Sequence, residues 1–93
     1  MAVCFVEYRI AEEHEEAYLE WIAQQQAADP RFLLYEGTDQ PLLFVEVWQA
    51  TDVQAAEAIK KERCDERSSW RLLSEWIPGG PAKLHAWTFR PVT

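Results

Sequence analysis

The chain has 93 residues, with nine lysines and arginines against sixteen aspartates and glutamates, and a net charge of −7. This length supports one hydrophobic core, so residues 1–93 are treated as a single domain. Nucleic-acid binding depends on lysine and arginine neutralising phosphates, so the acidic balance excludes nucleic acid as an expected partner. No apolar run reaches about 18 residues, which excludes a membrane partner through a spanning helix. The first residues lack the basic start of a secretory leader, so we expect a cytoplasmic protein.

Aromatic residues make up 13% of the chain and include five tryptophans, a large aromatic content for one small core. The two cysteines, Cys4 and Cys64, are too few for a disulfide framework or a zinc site, so no metal site is expected. We expect both to be small buried hydrophobic side chains. The alternative is a reactive Cys64, because Arg63 and Arg67 nearby would favour its thiolate.

Apolar and polar residues alternate over positions 3–10, which predicts the first strand. The spacing then becomes helical over residues 12–28, and the glutamates in the first turns suit the positive end of a helix dipole. Residues 31–36 and 42–48 predict two more strands. The turn-forming residues 37–41 between them predict a hairpin.

A second helical pattern covers residues 52–77, and Thr51 with Gln54 has capping-box spacing at its start. An unbroken helix of that length would reach roughly 40 Å at about 1.5 Å per residue, which is longer than the strands, so we expect a break near residues 65–69. Alternation over residues 83–90 predicts the fourth strand.

The predicted element order is βαββαβ. Right-handed crossovers and short connections favour one arrangement, an α+β ferredoxin-like sandwich. Its four-stranded antiparallel sheet has the strand order 4-1-3-2, with both helices on one face. The first and third strands are therefore neighbours at the centre of the sheet.

Both faces of this sheet carry apolar residues, although the face away from the helices would be expected to be polar in a monomer. A large exposed aromatic patch marks an interaction surface, and a second copy related by a two-fold axis is the simplest partner. The rings would line a pocket for a flat hydrophobic ligand, or they would only pack across the interface. The candidate ligand-binding residues are Phe5, Phe44, Trp48, Trp87 and Phe89.

The chain resembles the dimeric α+β barrel superfamily, which includes the antibiotic-biosynthesis-monooxygenase-like domains. The resemblance rests on the first strand, the glutamate-rich helix, the hairpin at residues 37–41 and the stretch 76–80 that leads into residues 85–87. The resemblance implies a homodimer whose sheets close into a barrel. Haem-degrading members and antibiotic monooxygenases of that superfamily use an asparagine with a tryptophan. The chain has no asparagine, so neither catalytic set is complete and no cofactor is expected.

Three titratable residues within strands are candidate catalytic groups. Glu7 and Glu46 would lie close together if the first and third strands are neighbours, and such a pair could act as general base and acid. The alternative is ion pairing across the dimer interface or solvation at the barrel mouth. His85 would be a proton shuttle or haem ligand if its face lines the barrel, and a core histidine if that face packs on the helices.

Two hypotheses for function stay open at this point. In the first, the chain is a small monooxygenase-like homodimer that binds a small hydrophobic or aromatic molecule between its sheets, with or without catalysis. In the second, it is a non-enzymatic structural or regulatory dimer whose aromatic face is only the interface. A fold alone does not choose between them, because function depends on the site that the fold carries.

Overall fold

The structure is a computed structural model that describes residues 1–93. Four strands form one antiparallel sheet, in the order β2-β3-β1-β4. Their bounds are Ala2–Arg9 for β1, Phe32–Glu36 for β2, Leu43–Ala50 for β3 and His85–Phe89 for β4. The predicted α+β ferredoxin-like fold and the predicted strand order are confirmed.

The helices follow the predicted pattern, including the break. A 3₁₀ turn at Glu12–His14 leads into α1, Glu15–Ala28, and α2 spans Val53–Cys64. The chain then turns and continues as two 3₁₀ helices, Ser69–Trp76 and Gly80–Lys83. None of these helices has the length and hydropathy that crossing a membrane would take.

The start of α2 differs from the predicted capping box. The N-cap is Asp52, whose side chain accepts a hydrogen bond from the backbone N–H of Ala55 at 2.7 Å. Asp52 has extended backbone angles, which place its carboxylate over the first turn. The prediction for Thr51 and Gln54 was wrong because the neighbouring aspartate satisfies the free N–H group and also suits the helix dipole.

The hydrophobic core lies between the sheet and the helices. Even-numbered residues of β1 point into it, so Cys4, Val6 and Tyr8 are buried. The core continues through Tyr18 of α1 and Leu73 of the 3₁₀ helix Ser69–Trp76, in a cluster of 13 buried residues. The helices thus cover only one face of the sheet.

The other face of the sheet, which we call the open face, has no covering element and is largely apolar. Strand pairing aligns its side chains into rows that cross all four strands. One row consists of Leu33, Val47, Phe5 and Trp87. The next row consists of Tyr35, Val45, Glu7 and His85.

Candidate functional site

The predicted proximity of Glu7 and Glu46 was wrong. In the register of β1 and β3, Glu46 lies opposite Val6, and Glu7 lies opposite Val45. Cross-strand partners share a face and successive residues alternate, so the two carboxylates are on opposite faces of the sheet. Glu46 is fully buried on the helix side, whereas Glu7 is half-buried on the open face.

The placement of two predicted ligand-binding residues on the open face was also wrong. Phe44 and Trp48 have the same strand parity as Glu46, and both are buried under the helices. The Phe32 ring stacks on Trp48 at a centroid distance of 4.5 Å. Phe44 packs against Tyr18, with a ring-centroid distance of 4.7 Å. Both aromatics therefore belong to the core rather than to a barrel lining.

Glu46 is held by four hydrogen bonds inside the core. Arg63 forms a bidentate ion pair with it, with Nε donating to Oε1 and Nη2 donating to Oε2, each at 2.8 Å. The indole N–H of Trp48 also donates to Oε1 at 2.8 Å, and the hydroxyl of Tyr8 donates to Oε2 at 2.6 Å. A carboxylate has about four acceptor positions, so Glu46 has none left for a substrate proton. The geometry favours a structural role for Glu46 over the predicted catalytic one.

Three groups near the Glu46 carboxylate have raised pKa values. Burial raises the pKa of Tyr8 well above its usual value, and the negative charge of Glu46 raises it further. Burial likewise raises the pKa of Tyr18, whose hydroxyl lies 2.8 Å from that of Tyr8. Although burial opposes its charge, the Glu46 carboxylate holds the pKa of Arg63 above its ordinary value. Tyr8, Tyr18 and Arg63 therefore all keep their protons near neutral pH.

Sequence reasoning missed the role of Arg63. The buried residues of α2 are Ala56, Ile59 and Arg63, at helical spacing on one stripe. A cation on the inward stripe of a helix needs a buried partner, and Glu46 in the middle of an apolar strand was an available one. Those two patterns taken together would have predicted the ion pair.

The open face brings together two of the predicted catalytic residues and three of the predicted ligand-binding residues. Glu7 lies directly opposite His85, and Phe5 lies directly opposite Trp87. The rings of Phe5 and Phe89 meet edge to face at 5.1 Å. The His85 imidazole stacks with the Trp87 indole at 6.0 Å. Trp87 and Phe89 are about half exposed, so this surface is accessible in the single chain.

A shallow cavity of about 200 Å³ marks the end of the open face where Glu7 and His85 lie. Arg9 and Lys83 also line it, so two cations accompany the carboxylate and the imidazole. A glutamate and a histidine on adjacent strands can exchange a proton with a ligand that reaches both. If another element covered the open face at this cavity, the cavity would combine an apolar wall with an acid–base pair.

No group of three or more histidine, cysteine, aspartate or glutamate side chains converges as a metal site would require. Cys4 is buried and Cys64 is exposed, so the expectation that both are buried was wrong for Cys64. Burial raises the pKa of the Cys4 thiol to about 11, and the nearby Cys64 adds to that effect.

Comparison with known proteins gives a match in fold alone. No protein-family model matches the chain. No curated protein sequence matches it either.

Solved structures match over the whole chain. A protein from Deinococcus radiodurans, provisionally named an antibiotic biosynthesis monooxygenase, has a TM-score of 0.73 at 11% identity, over 100% of this chain and 94% of its own. A second structure, named antibiotic biosynthesis monooxygenase, has a TM-score of 0.70 at 15% identity, over 100% of both chains. A third, provisionally given the same name and from Nitrosomonas europaea, has a TM-score of 0.64 at 17% identity, over 100% of both chains. These matches confirm the predicted resemblance at the level of the fold.

Proposed function

Because the chain has the fold of the antibiotic-biosynthesis-monooxygenase-like proteins, we propose that it forms a homodimer in which a second copy covers the open face. We further propose that the two sheets bind a small hydrophobic or aromatic molecule between them. The observation that carries both proposals is the row of apolar side chains, from Leu33 through Val47 and Phe5 to Trp87, that crosses the whole uncovered face.

A second copy suits this face better than an unlike partner does. The apolar row from Leu33 to Trp87 crosses all four strands, and the charged side chains of Glu7 and Arg9 lie toward one end of the sheet. Four large side chains on this face are about half exposed, which a soluble monomer rarely tolerates in one patch. They are Leu33, Tyr35, Trp87 and Phe89. If two copies related by a two-fold axis packed through this face, one self-complementary contact would bury these four side chains in both copies.

The ligand site of the proposed dimer is smaller than the sequence suggested. Phe5, Trp87 and Phe89 remain as its aromatic wall, since Phe44 and Trp48 face the core. Glu7 and His85 provide the polar end, where a ligand hydroxyl or carbonyl could exchange a proton. An apolar wall with a few polar groups at one end is the usual composition of a small-molecule site.

The alternative is a dimer without a ligand, whose open face is only an interface. One observation favours it: the aromatic side chains of the open face already pack on one another, as the 5.1 Å contact of Phe5 with Phe89 shows. Side chains that interdigitate across the axis would leave no room for a bound molecule. The two functions differ in whether the assembled protein takes up an aromatic probe.

The first experiment tests the dimer by sedimentation velocity over a micromolar concentration range. Trp87→Glu places a charge on the open face, at one end of the apolar row on the edge strand β4, so we expect it to convert a dimer into a monomer. Leu19→Glu is the matched control, because Leu19 on α1 is 44% exposed against 45% for Trp87. A wild-type monomer, or equal dissociation by both variants, would contradict the proposal.

The second experiment tests ligand binding on the purified dimer by quenching of tryptophan fluorescence. The probes are a naphthoquinone, flavin mononucleotide and haem. Trp87 is the one tryptophan on the open face, so we expect saturable quenching in the wild type that Trp87→Phe reduces. Glu7→Gln should weaken binding of a probe with a polar end while leaving the dimer intact. No saturable quenching by any probe would favour the dimer without a ligand.

A further inference from the structure

Glu7 is the only acidic residue of the four strands that lies on the open face. It belongs to β1, which is paired with β3 on one side and with β4 on the other. Its side chain is half-buried in the single chain, and none of the four ion pairs of the chain includes it. The open face therefore carries a negative charge that no salt bridge balances.

A partner that covers the open face has to cover Glu7 as well. Eight residues of β1 at about 3.3 Å each and four strands about 4.8 Å apart give a face of roughly 500 Å². A stable dimer buries about 800 Å² on each partner, so its interface takes in the whole of this face. Glu7 is the third of the four β1 side chains on this face, after Val3 and Phe5 and before Arg9. It therefore lies inside the covered area rather than at its rim.

The two cations at this end of the face are held by other contacts. Arg9 donates to a backbone carbonyl of the hairpin turn at 3.1 Å and to Oε1 of Gln40 at 3.2 Å, so its guanidinium faces the hairpin. Lys83 lines the same cavity as Glu7, and its stem lies against Gly79, where a Cβ would be 2.8 Å from Cγ of the lysine. Neither cation forms an ion pair with Glu7.

His85 is the group best placed to balance Glu7. From β3 only the apolar side chains of Leu43, Val45 and Val47 face Glu7. On β4, His85 lies directly opposite Glu7, and the Cβ atoms of such a pair are about 4.5–5.5 Å apart. Lysine and arginine keep their charge near neutral pH, whereas an imidazole gains or loses its charge between about pH 5 and 8. Among the groups that face Glu7, His85 is therefore the one that can respond to pH.

Covering Glu7 and His85 favours one charge state of the pair. A carboxylate taken out of water is strongly disfavoured unless a cation compensates for it. A proton on His85 supplies that cation, and the pair then has no net charge. The uncovered chain has no such requirement, because Glu7 is only half-buried there and His85 is exposed. The covered face therefore binds one proton more per chain than the uncovered face does above neutral pH.

We propose that dimer formation through the open face takes up one proton on His85 of each chain, which then pairs with Glu7 of the same chain. The association constant rises as the pH falls, by up to about a hundredfold per pH unit, because two protons enter with each dimer formed. This inference rests on the proposed dimer and adds its regulation by pH. A ligand bound between the two sheets would follow the same dependence, since its site exists only in the dimer.

Sedimentation equilibrium at pH 6 and at pH 8, at one ionic strength, measures the Kd of the dimer. We expect the Kd of the wild type to be at least about tenfold lower at pH 6. The buried Cys4 thiol, with a pKa of about 11, does not ionise in this range. The same Kd at both pH values would mean that a fixed cation such as Lys83 balances Glu7, which overturns the proton uptake and leaves the dimer. A monomer at both pH values would overturn the dimer and the proton uptake together.

Three variants assign the proton to this pair. His85→Gln removes the group that takes up the proton, so its dimer should be no tighter at pH 6 than at pH 8. Glu7→Gln removes the charge to be balanced, so its dimer should be tighter than that of the wild type at pH 8 and should not tighten further at pH 6. His14→Gln is the matched control, because His14 is the other histidine of the chain and lies outside the sheet. Tightening that persists in His85→Gln, or that is lost in His14→Gln, would overturn the proposal.

Discussion

Replacing Arg63 by methionine removes the partner of a carboxylate that has no contact with solvent. Glu46 would keep the hydrogen bonds from Tyr8 and Trp48 but would lose both bonds from the guanidinium. Breaking a buried ion pair on one side costs about 3–5 kcal/mol, because a buried charge is left without compensation. A domain of this size has a total stability of about 5–15 kcal/mol, so the loss is a large part of the free energy of unfolding.

The double variant Glu46→Leu/Arg63→Met removes both charges and should be more stable than either single variant. The hydroxyl of Tyr8 keeps its contact with Tyr18, and the indole N–H of Trp48 is the donor that loses its acceptor. One unsatisfied buried donor costs about 1–3 kcal/mol, so we expect the double variant to lose about that amount. The coupling energy between the two positions should therefore be several kcal/mol, where independent sites would give none.

The assay is urea unfolding followed by far-ultraviolet circular dichroism, at one pH and one protein concentration. Arg67→Met is the matched control, because the same substitution at a side chain that is 93% exposed removes a loose surface pair. Such pairs contribute about 0–1 kcal/mol. The m-value should stay constant, so that a shift in midpoint reports on stability. The reasoning would be refuted if Arg63→Met cost no more than Arg67→Met, or if the double variant lost the sum of the two single losses.

Three further predictions concern pH, a helix cap and a turn. Burial raises the pKa of Cys4, Tyr8 and Tyr18, so these groups stay protonated in the folded chain at pH values where they ionise in the unfolded chain. The free energy of unfolding should therefore be greatest below about pH 9 and should fall above it. Each group should contribute a fall of about 1.4 kcal/mol per pH unit between its unfolded and its folded pKa. Thermal unfolding between pH 7 and 11 measures this loss of stability. Cys4→Ala should remove the part of the loss that occurs at the lowest pH. A stability that does not change with pH would contradict the assignment to these three buried groups. Asp52→Ala should cost about 1 kcal/mol in urea unfolding because it removes the cap of α2, whereas Asp52→Ser should restore most of the loss, and equal losses would argue against capping. Gly79→Ala should cost more than about 1 kcal/mol, because Gly79 has a φ of 87° and a new Cβ would lie 2.8 Å from Cγ of Lys83. Gly80→Ala is its control, at a φ of 74° with nothing within 4 Å of the new Cβ, and a loss as large as that of Gly79→Ala would remove the steric part of the explanation.

The sequence predicted the number, order and approximate bounds of the strands, because alternation and helical spacing are local properties that each segment shows by itself. The break after α2 was predictable for the same kind of reason, since an unbroken helix would have extended past the sheet. The confirmed order β2-β3-β1-β4 then followed from connection rules that hold across folds.

The side of the sheet on which Glu46 lies was not predictable from β3 alone. Phe44 and Trp48 flank it on one face, and Val45 and Val47 occupy the other, so both faces look equally apolar in the sequence. The choice depends on Arg63, which reaches Glu46 from α2 across the core. A register of alternating residues is a local property, whereas the identity of the buried face depends on tertiary pairing.

The central position of β1 has a consequence for how the chain folds. The hairpin of β2 and β3 closes between segments near each other in sequence, but β1 pairs with β4 across nearly the whole chain, from Val3 to Phe89. Contacts of such large sequence separation form late, because the entropy of closing a long loop must be overcome first. Until β4 docks, β1 presents a free edge of backbone donors and acceptors beside apolar side chains, which is a template for pairing with another chain. The protein is therefore most prone to aggregation during folding in the interval before β4 docks.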